Sequence, residues 1–411
     1  MKKLFLVPIA GFILSCSTPS SYELLITNNT QFPVKDAGLS IKATDLKGYK
    51  QMNQGMVPVL RDESDNLFPT QADDLDGNGF WDELFVITDL DKNEEKRVSL
   101  TFVEQEDYPE FTYRTNIRFA RKDHDYMEVT TATREQHAIN TETQKVWQME
   151  GIAWENDRVG FRNYFDLRNG MDIFGKVTTK MVLDEVGTNE NPDYHTFDPS
   201  WGVDVLKVGN SLGAGSIAYQ YMDSLYRVGD NGPGSCEILT EGPLRSVFRF
   251  TFPEWKMGDQ TIEVIHDISI SAGTYYYESS VTYRGTEAEL QLVAGIVNSK
   301  SRELHNAGRT ENINAFYTFD LQSEDTTNLG MGIMVGADAF AGITMAPAEG
   351  AGITETYCIH LNTAQSVTNK FRFYTVWERE NEQWETADGF EELLNREAIL
   401  MAEPPSWSLV K

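Results

Sequence analysis

Over residues 246–252 and again over 261–271 apolar and polar side chains alternate at nearly every step, with Gly258-Asp259 between the two runs. A period of two marks a strand with one buried face, and a Gly-containing pair between two such runs signals a hairpin. Strands this long belong to a large antiparallel sheet packed on a core. Residues 275–283 and 370–377 read the same way. Residues 22–27, 84–87 and 97–102 are shorter strands separated by turns rich in Asn, Gly and Asp, as a small sandwich requires. Helical spacing appears only over residues 389–400, and Pro404-Pro405 ends it. The fold expected is mainly β. A small N-terminal β-sandwich spans 22–108, and a large antiparallel β-sandwich with a short C-terminal helix spans 109–411. A chain of 411 residues is long for one simple core, which suits two β-rich units.

The first residues read as an export signal. Lys2 and Lys3 precede an apolar run over 4–14, too short for a permanent membrane helix. It closes on Ser15-Cys16, a small residue before a cysteine, as in a bacterial lipobox. Residues 1–15 are then a lipoprotein signal peptide, Cys16 is the lipidated mature N terminus, and 16–21 form a Ser-, Thr- and Pro-containing tether. Ordinary cleavage near Ser15, with Cys16 incidental, is the alternative. No acidic run follows Cys16, so the expected location is the outer membrane, lipid-anchored and facing the periplasm, before the cell surface.

Once Lys2 and Lys3 leave with the signal, 33 basic residues face 63 acidic ones, a net charge of −30. Such a surface repels nucleic acid and anionic membranes, so no nucleic-acid partner is expected. Clusters of Arg therefore carry more information than clusters of acids. Cys236 and Cys358 could pair in an oxidising compartment, and no Cys-x-x-Cys pattern suggests structural zinc.

The most informative stretch is 161–168, Phe-Arg-Asn-Tyr-Phe-Asp-Leu-Arg. Read as one strand, it turns Phe161, Phe165 and Leu167 to a core and lines up Arg162, Tyr164, Asp166 and Arg168 on the other face. Two guanidinium groups beside a phenol can bed a carboxylated or sulfated sugar, and cationic neighbours would lower the Tyr164 pKa. A solvated strand face with paired charges is the plainer reading. Upstream, Trp154 could stack on a sugar ring while Glu155 binds hydroxyls; downstream, Lys176 could assist. Each of these three is as readily a core or turn residue. The loop 192–195 brings Tyr194-His195, followed by Trp201 and Asp204: a proton-transfer group beside a stacking platform. His305 lies in a second polar loop with Arg302 and Arg309, whereas His266 shares a strand face with Ile262, Val264, Ile268 and Ile270 and reads as core. The pattern Gly209-x-Ser211-x-Gly213 is not followed by a helix, so it is a turn and not a nucleophile elbow. Asp74, Asp76, Asn78 and Asp82 space oxygen donors as a calcium loop does. Phe85 stands where an EF-hand needs its bidentate acid, so the stretch fits a hairpin turn before it fits a compact Ca2+ site.

The stretches 150–157, 162–168, 172–176, 194–195, 201–215 and 241–249 together resemble a family of Bacteroidota lipoproteins long known only as a domain of unknown function. The resemblance spans most of the mature chain. It implies a role with uronate-containing polysaccharides such as ulvan and pectin, and similarity to an oligosaccharide dehydratase that leaves a 4,5-unsaturated uronate. Abstracting the C5 proton of a uronate needs its carboxylate neutralised, a base, and an acid for the departing O4 hydroxyl. Arg162 as clamp, with His195 and Tyr164 sharing base and acid roles, supplies all three. Arg168 can hold a sulfate or second carboxylate. Substrate contacts are expected from Lys176, Trp154, Glu155, Trp201, Asp204 and His305, with no required cofactor. The expected function is thus a dehydratase, a carbon–oxygen lyase, acting on acidic oligosaccharides. The rivals are a polysaccharide lyase with a glycoside leaving group, a non-catalytic glycan-binding lipoprotein, and an epimerase suggested by a mutarotase-like supersandwich.

Overall fold

The computed structural model describes residues 21–47, 49, 55–134, 139, 144–191, 193–301, 303–307 and 310–410. The signal, Cys16, the tether up to residue 20, Pro192, Arg302 and Arg309 lie outside them.

The chain is mainly β, as expected. In the small sandwich, one sheet runs in the order Ser406–Leu409, Ser21–Thr27, Glu95–Glu104, Met56–Asp62, and the other in the order Val34–Lys42, Glu83–Leu90, Thr70–Asp73. Alternation sets its inner face: Tyr22, Leu24 and Ile26 point inward and meet Leu39, Ile41, Leu84, Val86, Val98 and Leu100. The unit expected over 22–108 takes one more strand from the far end of the chain. Leu24 pairs with Leu409 and Thr27 with Ser406.

The large sandwich sets a nine-stranded antiparallel sheet against two five-stranded ones. The hairpin read from the sequence is its centre. Arg245–Met257 and Gln260–Ser271 pair along their length, and Gly258 turns between them at φ +60°. Ile262, Val264, His266, Ile268 and Ile270 all face the core, so His266 is the core histidine its spacing suggested. One five-stranded sheet runs Gly202–Asp204, Met171–Lys176, Gly160–Asn163, Ala153–Asn156, Thr115–Arg118. The helix Ala387–Ala402 lies on the outer face of the large sheet, where Phe390, Leu394 and Ala398, one helical stripe, cover Tyr317, Met334 and Tyr374.

Two ion-paired joints and an apolar contact hold the sandwiches together. Arg245 reaches Asp73 and Glu83, Arg114 spans Asp36 and Asp157, and Phe85 and Ile87 pack on Leu244 and Ala272. Cys236 and Cys358 are both buried and free.

Candidate functional site

Three neighbouring strands of the Gly160–Asn163 sheet build the site. Arg162 lies directly opposite Asp172, and Asp204 opposite Phe174, two residues further along the same face. The Arg162 guanidinium is wholly buried and committed. Its Nε and Nη2 donate to Asp172 Oδ2 at 3.0 and 2.7 Å, and Nη2 also donates to Asp204 Oδ2 at 2.6 Å and to the Tyr164 hydroxyl at 2.8 Å. The Tyr164 hydroxyl donates in turn to Asp172 Oδ2 at 2.6 Å. Aromatic rings close around the cation: Tyr164 at 4.7 Å, Tyr194 at 5.1 Å and Phe174 at 5.4 Å from ring centre to guanidinium carbon.

Residues 161–168 do not form the single strand expected. The strand stops at Asn163, and residues 166–169 make a turn. Asp166 causes it by accepting the Arg168 N–H at 2.8 Å, an Asx turn, while the Tyr164 N–H bonds Gly170 and the Phe165 N–H bonds Glu150. Phe161 and Phe165 still reach the core, but Leu167 does not. Arg168 folds back so that its guanidinium lies 3.9 Å from the Tyr164 ring centre. It is held by Asp166 and by Glu150 at 3.0 Å, and its side chain is 26% exposed against 2% for Arg162. Arg168, not Arg162, is therefore the cation a ligand can reach.

His195 stands at the surface beside the cluster, 68% exposed, with Nδ1 3.5 Å from Asp204 Oδ2 and its ring 4.5 Å from that of Tyr194. The chain holds it there because Asp193 Oδ1 accepts the His195 N–H at 2.9 Å. An imidazole at the surface beside a buried carboxyl group is an arrangement that can place a base next to an orienting partner.

Burial and neighbouring charge shift the titrating groups inside. It pushes the Tyr164 phenol well above its usual range; Arg162 pulls the other way and loses, with Asp172 and Asp204 adding to the rise. The expected lowering is corrected: the cation's own pull is smaller than the cost of burying a phenolate. Burial, then Asp172, also raise Asp204 well above the ordinary carboxylate range against the opposing pull of Arg162. Burial opposes the Arg162 charge, but Tyr164, Asp204 and Asp172 outweigh it and fix the cation.

Other residues singled out from the sequence lie elsewhere. Trp154 is wholly inside the core against Phe161, Phe248 and Tyr277, and offers no open face to a sugar. Trp201 is 3% exposed and packs edge-on to Phe174. Lys176 and Glu155 are both fully buried and bonded to each other. Lys176 Nζ also meets the Asn156 carbonyl at 2.6 Å, and Glu155 Oε1 accepts the Val182 and Leu183 N–H groups at 2.6 and 2.8 Å. That pair is a structural seal and not a substrate contact. His305 sits on the edge strand His305–Asn306 beside Tyr317, with no bond to the cluster among the described residues. Ser211 is buried and donates to the Val208 carbonyl, which agrees with a turn. Asp74, Asp76 and Asp82 bring carboxylate oxygens within 4.8 Å of one another, while Asn78 caps the Phe80 N–H. Their carboxylates also accept backbone N–H groups of the same loop, which a hairpin turn alone accounts for. Asp172 and Glu150 belong to the cluster without having been assigned a role. The signal for Asp172 was its hairpin register with Arg162; for Glu150 there was none.

A family model described as "Domain of unknown function (DUF4861)" matches residues 26–406. A protein of Formosa agariphila described as uncharacterized protein P7 is 22% identical over 302 residues, covering 69% of this chain and 70% of that one. Among solved structures, an alpha-mannosidase from Enterococcus faecalis aligns at a TM-score of 0.42 with 8% identity, over 97% of this chain and 47% of that one. A protein in glycosyl hydrolase family 38 from the same species aligns at 0.43 with 8% identity, over 97% and 48%. The chain thus spans about half the length of these two, and likeness this weak transfers no activity.

Proposed function

The chain belongs to the DUF4861 family, and from that premise we propose that it is a carbohydrate-active enzyme that moves a proton on acidic oligosaccharides, acting as a dehydratase on a terminal uronate. The observation that carries this reading is the pairing of surface His195 with buried Asp204, in a cluster whose reachable guanidinium is that of Arg168. The sugar carboxylate docks on Arg168 and is neutralised there. His195 takes the C5 proton, the C5 electron pair forms the C4–C5 double bond, and the C4–O bond breaks. The imidazolium returns its proton to the departing hydroxyl, which leaves as water. Asp204 orients the ring, and Arg162, Tyr164 and Asp172 fix Asp204. This chemistry calls on no cofactor.

Burial of Trp154 and Trp201 weighs against a purely binding protein, which needs aromatic platforms. On this reading the protein is tethered through Cys16 at the periplasmic face of the outer membrane. The test offers uronate-terminated oligosaccharides from ulvan and pectin, followed by the ultraviolet absorbance of a conjugated C4–C5 double bond and by mass spectrometry. Absorbance that rises with loss of one water and no chain cleavage is the result expected. A rise with cleavage makes the protein a lyase, and binding without any change makes it a glycan-binding lipoprotein.

A further inference from the structure

Four carboxylates, Glu150, Asp166, Asp172 and Asp204, crowd the two guanidinium groups of the site, and three of them have evident duties. Asp172 and Asp204 fix Arg162, and Asp166 both turns the chain and clamps Arg168 through Nε and Nη2. Glu150 only adds a second carboxylate to Arg168, which Asp166 already clamps through two nitrogens. Its Oε2 lies 3.0 Å from Arg168 Nη2, and its Oε1 faces Arg162 Nη1 at 3.8 Å. That nitrogen is the single buried nitrogen of Arg162 without a hydrogen bond. The carboxylate is only 9% exposed, yet it meets no other cation at bonding distance among the described residues.

The backbone holds Glu150 in this place at a cost. Its φ is +65°, a left-handed conformation uncommon for a residue other than Gly, Asn or Asp. Two contacts enforce it. The Glu150 carbonyl accepts the Phe165 N–H, and the next residue, Gly151, lies so close to the Asn163 carbonyl that a Cβ would come within 2.0 Å of that oxygen.

We infer that Glu150 is a stand-in anion, occupying the position on Arg168 Nη2 that a sugar carboxylate docking on Arg168 would take, and that its displacement sets how tightly acidic sugars bind. The inference rests on the reading of the site as one for acidic sugars. It assigns to Glu150 the part of a specificity gate: a weak or stray anion does not dislodge it, whereas a uronate with its ring hydroxyls also engaged does. A like charge a few ångströms from a bound anion weakens binding by roughly tenfold or more in a partly buried site, and that penalty is what Glu150 imposes.

The test measures binding of digalacturonate and of neutral galactobiose by calorimetry. A His195→Ala background keeps the ligand from being consumed, and circular dichroism checks each fold. Glu150→Gln removes the charge and keeps the shape; Glu150→Ala removes both. Both variants are expected to bind digalacturonate about tenfold more tightly than their parent, to lose much of that gain in raised salt, and to bind galactobiose as the parent does. Unchanged or weaker digalacturonate binding in both variants overturns the inference while leaving the acidic-sugar reading intact. Failure of every form, parent included, to bind digalacturonate overturns both.

Discussion

Replacing Lys176 by Met should damage the fold and not the recognition of substrate. The ammonium is fully buried and its partner Glu155 is equally so. Methionine fills nearly the same volume, so the change removes charge without opening a cavity. Glu155 then keeps the Val182 and Leu183 N–H bonds but loses its one ion-pair partner among the described residues. Breaking a buried pair from one side costs about 3–5 kcal/mol, because the remaining charge stays out of water uncompensated. An unfolding entropy of about 2.1 cal/mol/K per residue over 411 residues gives roughly 0.9 kcal/mol per degree. The melting temperature should therefore fall by about 3–6 °C, read by differential scanning fluorimetry. The double variant Lys176→Met with Glu155→Gln should recover part of the loss, since the orphaned charge goes with it. KM for whatever sugar the protein takes should stay unchanged. An unaltered melting temperature together with a raised KM would refute the reasoning and return Lys176 to the substrate.

His195→Ala should slow turnover by roughly 10²–10⁴-fold while calorimetry still detects substrate; loss of binding with activity intact would remove His195 from proton transfer. His266 is wholly buried, and burial pulls its pKa from 6.5 down to about 4. The unfolded chain therefore takes the proton first, and stability is lost as pH falls through 6.5 towards 4. Urea titration should show about 2 kcal/mol less stability at pH 5 than at pH 7 from this group, a difference that His266→Gln removes. Calcium should raise the melting temperature of the protein, and Asp82→Asn should abolish the rise, if Asp74, Asp76 and Asp82 take the ion as a set; equal melting with calcium and with chelator assigns them to the turn alone.

Much of the scaffold was legible because one rule, alternation, governs long strands with one buried face. It located 246–252, 261–271 and 370–377, and put His266 inside. The rule says which face a residue is on and nothing about what covers that face. Glu155 and Lys176 do lie on the outer face of their sheet, as polar residues should, but the chain at 182–183 seals it. The acidic neighbours of Trp154 left its place open between core and sugar platform: Glu155 and Asp157 look solvated in sequence, yet one pairs with Lys176 and the other with Arg114. Partners such as Arg245 and Asp73 stand 172 positions apart, beyond any local pattern. The sign of the Tyr164 shift needed a depth of burial that no spacing reveals. Residues 406–409 carry only two apolar side chains after a double proline, too little for alternation to mark a strand.

That last strand has a consequence for how the protein is made. Among the described strands Ser21–Thr27 emerges from the ribosome before the rest and Ser406–Leu409 after them, yet they are neighbours in one sheet. The small sandwich cannot be completed until residues 406–409 have been synthesised; until then the edge at Ser21–Thr27 stays open. A chain truncated anywhere before residue 406 presents that edge permanently, a ready template for aggregation or a mark for proteolysis. Closure of that edge is thereby deferred until Ser406–Leu409 has been made.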